Sequence, residues 1–228
     1  MKKVLVISLG GSVIIPDKID FKFLDRFKKL LEKHSKKFKF VIVCGGGSIA
    51  RKYIEALDRE GANEEEISEA GMRATRMNAM FLMQFFGKRA NSHLPKDMHD
   101  VKNNLSKNDF VICGALRYSP DETSDGTAAK LAHFFKSDFL NITNVDGLYS
   151  KDPRTSKDAK FIQYESWDDF ESRISKMKFK PGQHFVLDQQ AAAIIKNYKI
   201  KTVIAGKDVS NLDKMLLQKP FKGTLLSS

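Results

Sequence analysis

The sequence predicts an α/β fold, a three-layer sandwich in which helices cover both faces of a mostly parallel β-sheet. Two observations predict it. Short apolar, β-branched runs alternate with longer amphipathic runs along nearly the whole chain, and strands spaced by helices pair in parallel. Two of the apolar runs end in glycine clusters, Gly10-Gly11 and Gly45-Gly46-Gly47, which suits a strand turning sharply into a helix. The 228 residues suffice for a full core. No repeat, low-complexity tract or linker divides them, so residues 1–228 read as one domain with two lobes.

The elements follow in order. Val4 to Leu9 is a strand. Asp20 is a fitting N-cap for a helix with Phe23, Leu24, Phe27, Leu30 and Leu31 on one face. Phe38 to Cys44 is a second strand, and the run IARKYIEAL after it is helical. A longer helix covers about Glu65 to Phe86; its methionines 72, 77, 80 and 83 suit core or a subunit interface. Phe110 to Cys113 is a strand, and a polar loop from Gly114 to Ser124 leads into a helix around Thr127 to Phe135. Phe139 to Ile142 is strand-like. The segment NVDGLYSKDPRTSKDAK carries turn chemistry throughout. A helix at Gln189 to Asn197, a strand at Lys201 to Ala205 and a short helix at Leu212 to Leu217 complete the pattern.

Composition narrows the function. No apolar run approaches the roughly 18 residues of a membrane span. The opening MKKVLVISLGGS stops too soon and lacks a cleavage site, so it reads as a strand and the protein as cytoplasmic. Cys44 and Cys113 lie inside apolar runs, and the five histidines are scattered. Neither a disulfide framework nor a metal site is expected. The net charge of +11 is spread over the chain, densest from Lys28 to Lys39. No aromatic-basic motif accompanies it, so it suits phosphorylated substrates better than specific nucleic-acid binding.

The two glycine turns carry the chemistry. Without a Cβ the backbone can bring its N–H groups against a ligand, and a following helix adds a positive dipole end that favours phosphate. In a parallel sheet the carboxyl ends of strands share one edge, so two such turns could hold two phosphorylated ligands face to face. The alternative is that the glycines only permit tight connections. Gly45, Gly47 and Ala50 also match a loose dinucleotide fingerprint, but Glu64, Glu65 and Glu66, where its ribose carboxylate would fall, read as helix. There is no Gly-x-x-x-x-Gly-Lys-Ser/Thr loop. Arg51, one turn past the glycines, can reach the same phosphates with a planar fork; its alternative is a surface residue beside Lys52.

With these turns in place the chain resembles the amino acid kinase superfamily, and within it the archaeal-type uridylate kinases. The resemblance rests on LGGSVI at Leu9 to Ile14, CGGGSIARKYI at Cys44 to Ile54 and GMRATRMNAMFL at Gly71 to Leu82. It continues in TSDGTAAKLA at Thr123 to Ala132, ITNVDGLYSKDP at Ile142 to Pro153 and VLDQQAAAII at Val186 to Ile195. It implies ATP contacts from Thr143, Asn144, Asp146, Tyr149 and Asp152, with outer phosphates at Gly10, Gly11, Ser12, Gly47 and Arg51. It implies an acceptor nucleotide held by Gly45, Gly46, Ser68, Gly114, Thr123 and Ser124. It makes Asp125 the acidic organiser of transfer, an alternative being that Asp125 only caps its helix. The acceptor lobe would cover about 1–137 and the ATP lobe about 138–228. Magnesium would arrive with ATP rather than in a site of its own, and the protein would be a homo-oligomer, commonly a hexamer.

Three departures concern chemistry and acceptor recognition. Ser8 stands where many superfamily members carry a catalytic lysine. Ser68, beside Glu69, replaces a ribose-binding aspartate. The acceptor loop is slightly long and carries Arg117 and Tyr118. The histidine of isopentenyl phosphate kinases is missing, since Arg51-Lys52 fill that region. The alternatives to a uridylate kinase are a related kinase with another small acceptor, or a binding protein without transfer activity.

Overall fold

The computed structural model describes residues 2–117, 123–176 and 186–228. The chain opens with β1 (Lys3–Leu9), the four-residue α1 (Gly11–Ile14), α2 (Phe21–His34), β2 (Phe38–Cys44) and α3 (Gly47–Arg59). The long α4 (Glu64–Phe86), α5 (Met98–Lys107), β3 (Phe110–Cys113), α6 (Ser124–Phe135) and β4 (Phe139–Thr143) follow. A two-stranded ribbon of β5 (Leu148–Tyr149) and β6 (Phe161–Ile162) leads to β7 (Tyr164–Ser166) and α7 (Trp167–Ser175). The last elements are α8 (Gln189–Asn197), β8 (Thr202–Gly206), α9 (Val209–Leu216) and β9 (Thr224–Ser227).

Seven strands form one sheet in the order β3-β2-β1-β4-β8-β9-β7. The pairings are parallel except β8 with β9. Side chains alternate across a strand, so each central strand feeds two cores. Leu5, Ile7 and Leu9 with Phe40, Ile42 and Phe110 meet α2, α4 and α9 on one face. Val6, Val41, Val43 and Val111 meet α5, α6, α7 and α8 on the other. Burial on both faces is why these strands read as continuous apolar runs rather than alternating ones.

The caps are local. Asp20 accepts from the Phe23 amide at 3.1 Å, as its sequence position suggests. Asn63 and Glu66 form a reciprocal capping box on α4. The sequence reading lacks α5, α7, β7 and β9. Both helices are short and bury few side chains, chiefly Val101 and Leu105 in one and Phe170 and Ile174 in the other, which is too little periodicity to stand out. The turn-rich segment after β4 holds the short β5–β6 pair in addition to its turns. On α4, Met83 is core while Met77 and Met80 are about half exposed, at 49% and 47%.

Phe27 is fully enclosed between α2 and the sheet. Phe27→Ala is expected to lower the unfolding free energy by about 3–5 kcal/mol through the cavity it leaves. Tyr53→Ala, at an exposed site, should change it by less than about 0.5 kcal/mol. Urea unfolding of both variants measures the contrast.

Candidate active site

From β1 the chain moves outward to β2 and β3, then returns to the other flank of β1 with β4. Connections leave the sheet in opposite directions at such a reversal, and a crevice opens at the carboxyl edge. A cleft of about 150 Å³ lies there, lined by Gly10, Gly11, Ser12, Gly45, Gly46, Gly47, Arg51, Ser124, Asp125, Asn141, Thr143 and Val186. Ten residues singled out in the sequence thus share one cavity.

The two turns pack backbone on backbone. A Cβ on Gly11 would stand 1.9 Å from the Gly47 nitrogen, and one on Gly45 would stand 2.4 Å from the Gly11 nitrogen. Gly47 also has φ +66°, a left-handed conformation that suits glycine. The amides of Gly10 and Gly45 are closed by the carbonyls of Ile142 and Leu9, both at 2.9 Å. Those of Gly11, Ser12, Gly46 and Gly47 donate to no backbone carbonyl among the described residues. Four unpaired donors around one small cleft form a seat for anionic oxygens.

Opposite this seat lies an acidic network. Ser8 and Asn141 are register partners in β1 and β4, polar interruptions of two buried strands on the face that α6 and α8 cover. The Ser8 hydroxyl donates to Asp125 Oδ1 at 2.6 Å. The cap of α6 is Thr123, whose Oγ1 accepts from the Gly126 amide at 2.9 Å; this removes the alternative in which Asp125 caps the helix. Thr123 in turn donates its hydroxyl to Asp188, which caps α8 by accepting from the Ala191 amide at 2.8 Å. Asn141 donates to the Val186 carbonyl. Burial, then the nearby charge of Asp188, push the Asp125 carboxyl up to about 7, against the opposing hydrogen bond from Ser8. Among the described residues that line the cleft, Arg51 is the only cation. It makes one long contact, 3.4 Å to the Pro16 carbonyl, and burial lowers its pKa.

The other residues named from the sequence lie outside this cleft. Asn144, Asp146, Tyr149 and Asp152 follow β4, beyond its carboxyl end. Asp146 pairs with Lys222 at 2.5 Å, Asp152 pairs with Arg154 at 2.8 Å, and Tyr149 meets the Phe161 ring edge-on at 5.3 Å. Gly114 packs against Thr75 on α4, where a Cβ would stand 2.6 Å from its hydroxyl. Ser68 is exposed on α4, and its neighbour Glu69 is paired with Arg73 at 2.5 Å. Arg117 pairs with Asp97 at 3.0 Å; Tyr118 is outside the described residues.

Sequence reasoning assigned no role to Asn141 and Asp188, or to Asn78, which holds the Gly45-Gly46 turn from α4. The available signal was a single amide inside an apolar stretch, FLNIT for Asn141 and MNAMFL for Asn78. A buried polar group persists only with partners.

The fold, the reversal of strand order and the paired glycine turns define a class, and comparison with known proteins agrees. The model of the amino acid kinase family matches residues 3–206, and the chain belongs to that family. Within it, the relatives it resembles are uridylate kinases. The uridylate kinase of Thermoplasma volcanium is 39% identical over 222 residues, covering 96% of each chain. That of Methanococcus aeolicus is 34% identical, covering 98% of this chain and 99% of the relative. The crystal structure of the Archaeoglobus fulgidus uridylate kinase superimposes with a TM-score of 0.85 at 33% identity, over 100% of both chains.

An acid whose folded pKa lies near 7, above an unfolded value near 3.9, favours folding only while protonated. Its contribution is full below the unfolded value and fades as pH rises through 7. The ligand-free protein should therefore lose melting temperature between pH 5 and pH 8. Asp125→Asn, neutral at every pH, should flatten that slope and melt higher than the parent at pH 8. Calorimetric scans across this range provide the check, and equal slopes would show that Asp125 is ionised throughout.

Proposed function

We propose that this protein is an ATP-dependent uridylate kinase, which transfers the γ-phosphoryl group of ATP to the phosphate of UMP, yielding ADP and UDP. The observation that carries the reading is the convergence of four unpaired backbone amides, from two turns on neighbouring parallel strands, on one cleft at the strand-order reversal. Membership of the amino acid kinase family and uridylate kinase relatives over nearly the full length support it.

In this reading the turn at Gly45 and Gly46 holds the phosphate of UMP, while Gly10, Gly11, Ser12 and Gly47 hold the outer phosphates of ATP. A phosphate oxygen of UMP attacks the γ-phosphorus in line, and the bond to the β-bridging oxygen breaks to release ADP. The acceptor is already anionic at neutral pH, so the protein needs positioning and charge neutralisation rather than a strong base. Backbone amides provide the first, and Arg51 provides a charge-assisted contact. The oxygen donors beside the seat, Asp125 and the Ser124 hydroxyl, suit Mg²⁺ arriving with the nucleotide, which neutralises phosphate charge when bound. Asp125, which the Ser8 hydroxyl orients, and the Ser124 hydroxyl would hold that cation, and the Asp125 carboxylate would be the organiser of the site. Ser8, at the lysine position, gives Asp125 a hydrogen bond but no positive charge, and burial raises the pKa of that acid to about 7.

ATP then extends from the cleft along the edge beyond β4, toward Thr143, Asn144, Asp146, Tyr149 and Asp152. Residues 1–137 serve the acceptor and 138–228 the donor, with Ser68, Gly114, Thr123 and Ser124 on the acceptor side. The remaining features fit a cytoplasmic homo-oligomer, with the half-exposed Met77 and Met80 of α4 in a subunit contact. Among the described residues no helix is long and apolar enough to cross a membrane.

ADP release measured with UMP, CMP, AMP, acetylglutamate and isopentenyl phosphate tests the assignment. UMP should give the highest kcat/KM; preference for another acceptor would overturn the uridylate reading, and no release with any would overturn transfer itself. Arg51→Ala removes one charge-assisted hydrogen bond, about 1.5–3 kcal/mol, and should lower kcat/KM roughly ten- to a hundredfold. Wild-type rates in the folded variant would return Arg51 to the surface. Asp125→Asn should abolish most turnover despite its higher melting temperature at pH 8.

A further inference from the structure

We propose that Asn78 is the positioning residue of the second glycine turn: its amide aims into the cleft the peptide N–H group of Gly46, which faces the acceptor phosphate, and that of Gly47, at the border with ATP. The inference rests on the kinase reading above for the identity of the ligand. Its geometry stands on the protein alone. Asn78 lies on α4, is 4% exposed, and donates from Nδ2 to the Gly45 carbonyl at 2.7 Å and to the Gly46 carbonyl at 3.1 Å. A side-chain amide nitrogen carries two hydrogens, one for each carbonyl.

Peptide planarity turns this grip into an orientation. In a trans peptide the C=O of one residue and the N–H of the next lie in one plane and point in opposite directions. Drawing the Gly45 oxygen toward α4 therefore sends the Gly46 N–H away from it, and drawing in the Gly46 oxygen does the same to the Gly47 N–H. These are two of the four amides that lack a backbone acceptor. Consecutive glycines on their own have wide conformational freedom. A peptide flip between Gly46 and Gly47 would put a carbonyl oxygen where the phosphate binds and repel it. Asn78 makes that flip costly, because the flipped state leaves its buried donor unpaired.

The same turn of α4 fastens the neighbouring acceptor loop. The Thr75 hydroxyl accepts from the Ala115 amide at 3.0 Å. Arg76 donates from Nε to the Ala115 carbonyl at 2.9 Å and from Nη2 to the Leu116 carbonyl. One short stretch of helix thus sets the backbone after β2 and after β3, the two segments assigned to UMP. No residue of that stretch bonds the turn after β1. A defect at Asn78 should accordingly appear in acceptor binding before donor binding.

Asn78→Asp keeps the shape and replaces both donors by a group that repels the two carbonyls. Steady-state kinetics should show the KM for UMP raised at least tenfold, with the KM for ATP, which meets this turn only at Gly47, raised by a smaller factor of about two- to threefold. Asn78→Gln retains both donors one methylene further out and should raise the KM for UMP by a smaller factor, about three- to tenfold, again more than the KM for ATP. It is also the variant that decides the matter if Asn78→Asp does not fold. Unchanged UMP kinetics in a folded variant, or equal losses for UMP and ATP, would overturn the assignment to Asn78 while leaving the kinase reading intact. A parent protein that transfers nothing to UMP would take both down together.

Discussion

The constraint on which the rest depends is the contact between two backbones. β1 and β2 run parallel in register, Leu9 beside Cys44, and the turns that follow them close on each other with no room for a single side-chain carbon at Gly11 or Gly45. Only glycine allows that approach. The reward is a cluster of amides whose acceptors have been removed by the turn itself, held rigid by the sheet beneath. Such a seat needs no charged side chain to attract an anion, and preorganised dipoles suit the charge that spreads over phosphate oxygens during transfer. The rest of the edge is arranged around it: α4 behind the second turn, α6 opposite, β4 at the flank.

Against that electropositive seat the protein sets two acids in close company. The charge of Asp188 acts on Asp125; Asp188, the cap of α8, accepts from Thr123, the cap of α6, and Ser8 gives Asp125 a hydrogen bond from the strand floor. Two neighbouring carboxyls away from water resist ionising together. An arrangement of this kind is a poor contributor to folding at neutral pH. The cost is offset by the two apolar cores on either side of the sheet, where the central strands are almost wholly buried. Stability resides in the layers and chemistry at their carboxyl edge, which frees the edge to carry unpaired donors and uneasy acids.

Much was legible from the residues alone. The central strands, the helices α2, α3, α4, α6 and α8, the Asp20 cap and the two glycine turns follow from apolar runs, glycine clusters and helical periodicity, which are local properties of the chain. Membership of the amino acid kinase family was also legible, because its motifs span most of the length. Ten of the residues singled out line the cleft, since residues at the ends of parallel strands meet at one edge whatever the intervening chain does. Short elements such as α5, α7 and β9 were not legible; each buries too few side chains to leave a periodic trace.

Tertiary structure alone decided who holds whom. That Thr123 rather than Asp125 caps α6 depends on a helix start that shifts by two residues without any change in composition. That Ser8 faces Asp125, 117 positions away, depends on the pleat of β1 and on α6 crossing over it. That Asn78 reaches back across 33 residues to the Gly45 carbonyl depends on the angle at which α4 lies behind β2. The sequence by itself determined the kinds of element, their order and the glycines that only a close backbone contact requires. The direction of each buried polar side chain came from long-range packing, because hydrogen-bond partners distant in the chain leave no mark on the residues between them.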